Sequence, residues 1–182
     1  MTKTKVLLLR GVNVSGANRL PMPEFREMLA EMGLRDVQTH IQSGNAVFHD
    51  PGVAGLTDRI AADMLARFGF APAMFLLDLA EFEAVVAANP YKSHGKADGQ
   101  AVHIFFLAAT TPVAEFAPIK ALAAVGESFQ AAPTALYLHA PAGVGRSVLV
   151  AKLDRMDKPA KTARNQRSAE AIIALARGLK PV

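Results

Sequence analysis

Two short polar stretches hold the residues whose types suit chemistry. One is Arg10-Gly11-Val12-Asn13-Val14-Ser15-Gly16-Ala17-Asn18-Arg19, and the other is Gln42-Ser43-Gly44-Asn45. The first follows the aliphatic run Val6-Leu7-Leu8-Leu9 and precedes a helix-like segment, where a buried strand hands over to a helix. A guanidinium, several carboxamides, a hydroxyl and exposed N–H groups suit an anionic or amide-bearing ligand such as a phosphate, a carboxylate or a nucleobase edge. Arg10, Asn13, Asn18, Gln42, Ser43 and Asn45 are therefore candidate ligand-binding residues. The same types also build plain turns, with asparagine satisfying backbone and Arg10 capping a strand carbonyl. Neither loop contains a carboxylate or histidine to act as general base, which argues against acid–base chemistry there.

Gly11 and Gly16 have the spacing that opens a phosphate-binding loop, but Ala17-Asn18 stand where the lysine and the magnesium-binding hydroxyl belong. The segment Pro141-Ala142-Gly143-Val144-Gly145-Arg146-Ser147 ends like such a loop, yet Arg146 replaces the lysine and Ala140 occupies the first glycine position. What survives is weaker: free N–H groups beside Arg146 at a helix start suit an anion, or are satisfied by ordinary capping. The five histidines have no metal-ligand spacing, so no metal and no cofactor are expected. The set of RNA-stacking aromatics is not present on the first and third strands, where Leu7, Leu9 and Ala46 stand with Phe48 as the single aromatic, so sequence-specific RNA binding is not expected.

The chain has 182 residues, no cysteine and an apolar fraction of 51%. It is long enough for one domain or two small ones, and it lacks disulfides and thiol chemistry. No apolar run approaches the roughly 20 residues of a membrane helix, and the N-terminal apolar run is too short for a signal peptide. A soluble, cytoplasmic protein is expected, with no membrane partner. The net charge is +4, and residues 151–182 hold 8 Lys+Arg against 3 Asp+Glu, so the basic excess lies in the last 32 residues. Weak binding of nucleic-acid backbone through that tail stays compatible with the sequence, as does a plain solvated helix face. The oligomeric state is left open.

Periodicity supplies the elements that would position these residues. Strands are expected at Lys3–Leu9, Val37–Ile41, Ala46–Phe48 and Ala73–Leu77, with helices at Pro23–Met32 and Ala54–Phe68. This β-α-β-β-α-β order is ferredoxin-like. After a short helix, Leu79–Ala88, residues 89–100 read as a linker. The pattern then restarts: strands at Val102–Leu107, Ser128–Ala131, Leu136–His139 and Lys161–Ala163, helices at Val113–Ala124 and Val144–Met156, and an added helix at Ser168–Leu179. The expected fold is α+β, two ferredoxin-like subdomains spanning 1–88 and 101–182 with a C-terminal helix; one fused larger sheet is the alternative. In this topology a right-handed crossover makes strands one and two parallel with strand three antiparallel between them. The end of strand one then meets the turn between strands two and three, bringing Arg10–Asn13 to Gln42–Asn45.

Arg10-Gly11-Val12-Asn13-Val14 with Pro21-Met22, Ile41-Gln42-Ser43-Gly44-Asn45 and Thr162-Ala163-Arg164-Asn165 together resemble the DUF1697 family of uncharacterised bacterial proteins. Asn89-Pro90 and the Pro141–Ser147 segment also look like family positions, so the resemblance spans essentially the whole chain. It implies two ferredoxin-like subdomains and no established activity, cofactor or catalytic residue. Family members typically carry Trp where this chain has Gln166. Arg146, Arg164 and Asn165 join the candidate ligand-binding set, although Asn165 or Ser168 also suits the N-cap of the last helix. The expected function is binding of a small anionic ligand by the two loops. An enzyme acting on such a ligand, or a structural or protein-interaction domain, are the alternatives.

Overall fold

The aliphatic run that precedes the first polar stretch is buried without alternation. In the computed structural model, which describes residues 2–14 and 16–180, strand β1 (Lys3–Leu9) holds Val6, Leu7, Leu8 and Leu9 at 0–1% exposure. Ser15 lies outside the described residues. A strand interior on both faces reads as a continuous hydrophobic run, as this one does.

The chain divides into two units, Met1–Glu83 with Ala171–Val182, and Ala84–Glu170. In the first, β1 is followed by α1 (Met22–Glu31), β2 (Arg35–His40), β3 (Asn45–Asp50), α2 (Leu56–Phe68) and β4 (Met74–Asp78). The strands form one sheet in the order β2-β3-β1-β4, with every neighbouring pair antiparallel. Leu7, Leu9, Ala46 and Phe48 meet Phe25, Met28 and Leu29 of α1 and Leu56, Ile60 and Met64 of α2 in a continuous core. The helical residues recur at three- and four-residue intervals, so each helix turns one stripe inward. Each fully buried side chain of this size stabilises by about 1.5–3 kcal/mol.

The second unit contains α4 (Lys92–Ala97), β5 (Val102–Leu107), α5 (Ala117–Lys120), β6 (Ser128–Ala132), β7 (Ala135–His139), α6 (Val148–Asp154) and β8 (Lys161–Asn165). Its sheet order is β6-β7-β5-β8, again antiparallel throughout, so the four strands are laid down in the same sequence as in the first unit. Two helices cross the division: α3 (Leu79–Ala87) and α7 (Gln166–Arg177).

Four local differences from the sequence expectations have physical causes. Residues 89–100, read as a linker, contain α4, which starts where Asn89 Oδ1 accepts the Tyr91 N–H at 2.9 Å. The helix expected over Val113–Ala124 is a 3₁₀ turn, Val113–Phe116, followed by the one-turn α5. Pro118 lies in its first turn, where its missing N–H is tolerated; deeper in one continuous helix it would break the ladder. Val144–Met156 likewise splits into a 3₁₀ turn, Val144–Arg146, and α6, because Ser147 Oγ accepts the Val150 N–H at 3.2 Å and caps the helix. Helix α7 starts at Gln166, not Ser168, with Asn165 Oδ1 accepting the Ser168 N–H at 2.8 Å. Residues from Ala171 onward belong with the first unit, whereas the sequence placed them in the second subdomain.

Candidate functional site

The two polar loops of the first unit do meet. Leu9 N–H donates to Gly44 O at 2.8 Å, directly joining the end of β1 to the β2–β3 turn. Asn13 completes the tie: its Nδ2 donates to Gln42 O at 2.7 Å and Leu20 O at 3.0 Å, while its Oδ1 accepts the Leu20 N–H at 2.8 Å. Asn18 Nδ2 donates to Gly11 O at 3.1 Å, and Asn13 N–H to Asn18 O at 3.1 Å, folding the first loop on itself. Both asparagines have positive φ, 53° and 49°, a region asparagine tolerates better than most residues. Gly44 has φ 70°, and a Cβ there would lie 2.5 Å from Val12 Cγ2 and 2.8 Å from Leu9 Cβ. Only glycine lets the turn press this closely against the first loop.

Several candidate residues thus serve the loops themselves. Asn45 is fully buried, and its Nδ2 donates to His40 O at 3.1 Å and Ser43 Oγ at 2.8 Å. Asn13 and Asn18 spend their amides on backbone carbonyls. What stays available is different: the half-buried Arg10 and the exposed Gln42 have no side-chain hydrogen bond or ion pair among the described residues. The backbone N–H of Arg10 is fixed to Ala73 O at 2.9 Å. Residues 10–21 and 40–45 contain Arg10 and Arg19 and no acid. Burial holds the adjoining His40 below its ordinary pKa.

Ile41 was missed by the sequence reading of single residues, although it stands in the motif. It has φ 48° and is 56% exposed. A β-branched residue in the left-handed region is an outlier that costs about 1–2 kcal/mol. Val14, next to Asn13 in the other loop, is 58% exposed. No periodicity rule flags an apolar residue held outward in a strained turn.

The other candidates belong to the second unit, each with a local role. Arg146 is exposed on the 3₁₀ turn, and the helix start after it is capped by Ser147. Arg164 is 8% exposed; its Nη1 donates to Thr162 Oγ1 at 3.0 Å and Ala163 O at 2.7 Å, and burial pushes its pKa down to about 10. Asn165 is the α7 cap. Gln166 is 2% exposed: its Oε1 accepts from Asn89 Nδ2 at 3.0 Å and its Nε2 donates to Glu170 Oε1 at 2.8 Å. Gly95 is close-packed on that carboxamide, leaving no room for a Cβ.

Two further groupings were not singled out beforehand. Asp78 on β4 lies opposite Lys5 of β1 and forms ion pairs with Lys5 and Lys3, which hold its carboxyl below the ordinary carboxylate range. A cleft of about 360 Å³ opens there, lined by Lys3, Thr4, Asp78 and Glu83 among others. In the second unit the His94 and His139 rings lie 4.2 Å apart, each 6.3 Å from Tyr91; burial and then the neighbouring His94 lower the His139 pKa. Among the described residues no three His, Cys, Asp or Glu side chains gather to hold a metal, and no helix is long and apolar enough to cross a membrane. Of the basic residues in the last 32, Lys161 and Arg164 are buried and Arg177 pairs with Glu83 at 2.7 Å.

Among the described residues, two four-stranded antiparallel sheets and seven α-helices make this a mixed α/β protein. A solved structure of the conserved bacterial protein SP0830 from Streptococcus pneumoniae matches it with a TM-score of 0.77 over 97% of this chain and 99% of that one, at 23% identity. That likeness shows a shared fold. The sequence profile of DUF1697, a protein family of unknown function, matches residues 1–137, and the chain belongs to this family. The matched part contains both loops of the first unit; the Arg146 and Arg164 segments lie beyond it. No curated protein matches the sequence.

Proposed function

We propose that the paired loops of the first unit bind a small anionic ligand, a phosphate or carboxylate, through the Arg10 guanidinium with help from the Gln42 carboxamide. The supporting observation is a cation without a protein partner among the described residues, beside loops that contain no acid. Asn13, Asn18, Asn45 and Gly44 act one step back. They fix the shape of both loops before any ligand arrives, which reduces the ordering entropy of binding. A guanidinium recognises phosphate or carboxylate by paired hydrogen bonds. With no carboxylate or histidine in residues 10–19 and 42–45, binding is favoured over hydrolytic or proton-transfer chemistry. We further assign each unit to the ferredoxin-like arrangement, supported by the sheet order β4-β1-β3-β2 and its counterpart β8-β5-β7-β6, and place the protein in the cytoplasm on its lack of cysteine.

A thermal-shift screen of nucleotides, organic phosphates and carboxylates tests this reading. A binder raises the melting temperature of the native protein, and Arg10→Ala removes the rise without lowering the melting temperature in buffer. A screen without any rise, combined with an Arg10→Ala variant that simply melts earlier, refutes it.

A further inference from the structure

We propose that the ligand of the Arg10 loops is an amphiphilic anion, its charged group on the Arg10 guanidinium and its apolar body resting on Ile41 and Val14; the inference rests on the binding reading above. Three observations converge. Ile41 and Val14 are the neighbours in sequence of Gln42 and Asn13, whose 2.7 Å hydrogen bond joins the two loops, so both aliphatic residues flank that junction. Both are more than half exposed, at 56% and 58%. Ile41 keeps a left-handed backbone, φ 48°, that asparagine or glycine would adopt with less strain. Local strain retained at an exposed position points to a use for the side chain there. The charge around the pair is Arg10 and Arg19 with no acid in either loop, so an apolar body arriving with a negative group is complementary and one carrying a positive group is repelled.

The chemistry therefore favours an organic phosphate or carboxylate with an aromatic or aliphatic body over inorganic phosphate. Removing the exposed face of an isoleucine from water against a ring supplies the difference. Inorganic phosphate and phenyl phosphate, titrated by calorimetry into the native chain and into Ile41→Asn and Arg10→Ala, separate this inference from the one beneath it. Phenyl phosphate is expected to bind at least about tenfold more tightly than inorganic phosphate, a difference of about 1.4 kcal/mol. Ile41→Asn reduces that ratio to within about twofold and does not lower the melting temperature. Equal affinities for the two probes in the native chain, with both lost in Arg10→Ala, overturn the amphiphilic inference and leave the binding reading standing. Failure of both probes to bind, or binding unaltered by Arg10→Ala, overturns both. Concentration-dependent self-association abolished by Ile41→Asn, with the probe ratio unchanged, makes the aliphatic pair a contact between copies and also overturns the inference.

Discussion

Asn13 does at residue scale what the sequence suggested a ligand would do: it engages three polar groups across two loops. Asn13→Ala removes those bonds and puts alanine at φ 53°. At about 1 kcal/mol for each of the three hydrogen bonds and 1–2 kcal/mol for the left-handed backbone, a loss of about 4–5 kcal/mol is expected in urea unfolding. Asn13→Gly relieves the backbone strain and isolates the hydrogen-bond share, so it should cost less than the alanine variant. The polar character of this edge was legible in the sequence because glycine and asparagine cluster after a buried strand. The division of labour among those residues was not. Asparagine uses the same amide to close a turn or to hold a ligand, and only the position of Leu20 and Gln42 carbonyls decides which.

At the scale of elements, the long amphipathic helices and the aliphatic strands were readable because their periods were unbroken, as in α2 with Leu56, Ile60 and Met64 buried. Helix α4 was not, since a Gly-containing polar segment becomes helical here through packing. Gly95 lies flat on the Gln166 carboxamide, a contact 71 positions away in sequence. Gly95→Ala should gain helix propensity and still lose about 1–3 kcal/mol to overpacking. In a Gln166→Ala background the penalty should shrink, a coupling that a double-mutant cycle in denaturant measures directly. The β1–β4 pair carries a pH dependence. Lys5 first and then Lys3 hold Asp78 below its unfolded pKa. Its contribution is therefore present above the ordinary carboxylate range of about 4 and is lost as pH falls through the lower folded value. Asp78→Asn should lower stability at pH 7 and flatten the acid limb of a stability–pH curve.

At the scale of the whole molecule, the repeated strand order was legible because each half restarts on an aliphatic strand. The destination of the C-terminal residues was hidden, because nothing local says that residues after Ala171 return to the first unit. Lys180 shows how they are held there: its N–H donates to Asp36 Oδ2 at 2.6 Å and its carbonyl meets His49 Nε2 at 2.9 Å. Deleting the chain from Gly178 onward should speed amide hydrogen exchange in β2 and β3 and lower the melting temperature, while full-length protein keeps those amides protected. The central claim, that this chain holds an anion on Arg10 at the joined loops, is tested most directly by titrating phenyl phosphate into ¹⁵N-labelled protein. The account predicts saturable shifts concentrated at the Arg10 side-chain Nε–H and the Gln42 and Ser43 amides, and their disappearance in a folded Arg10→Ala variant. Shifts confined to the Lys3–Asp78 cleft, or shifts at the loops that survive the loss of Arg10, would contradict it.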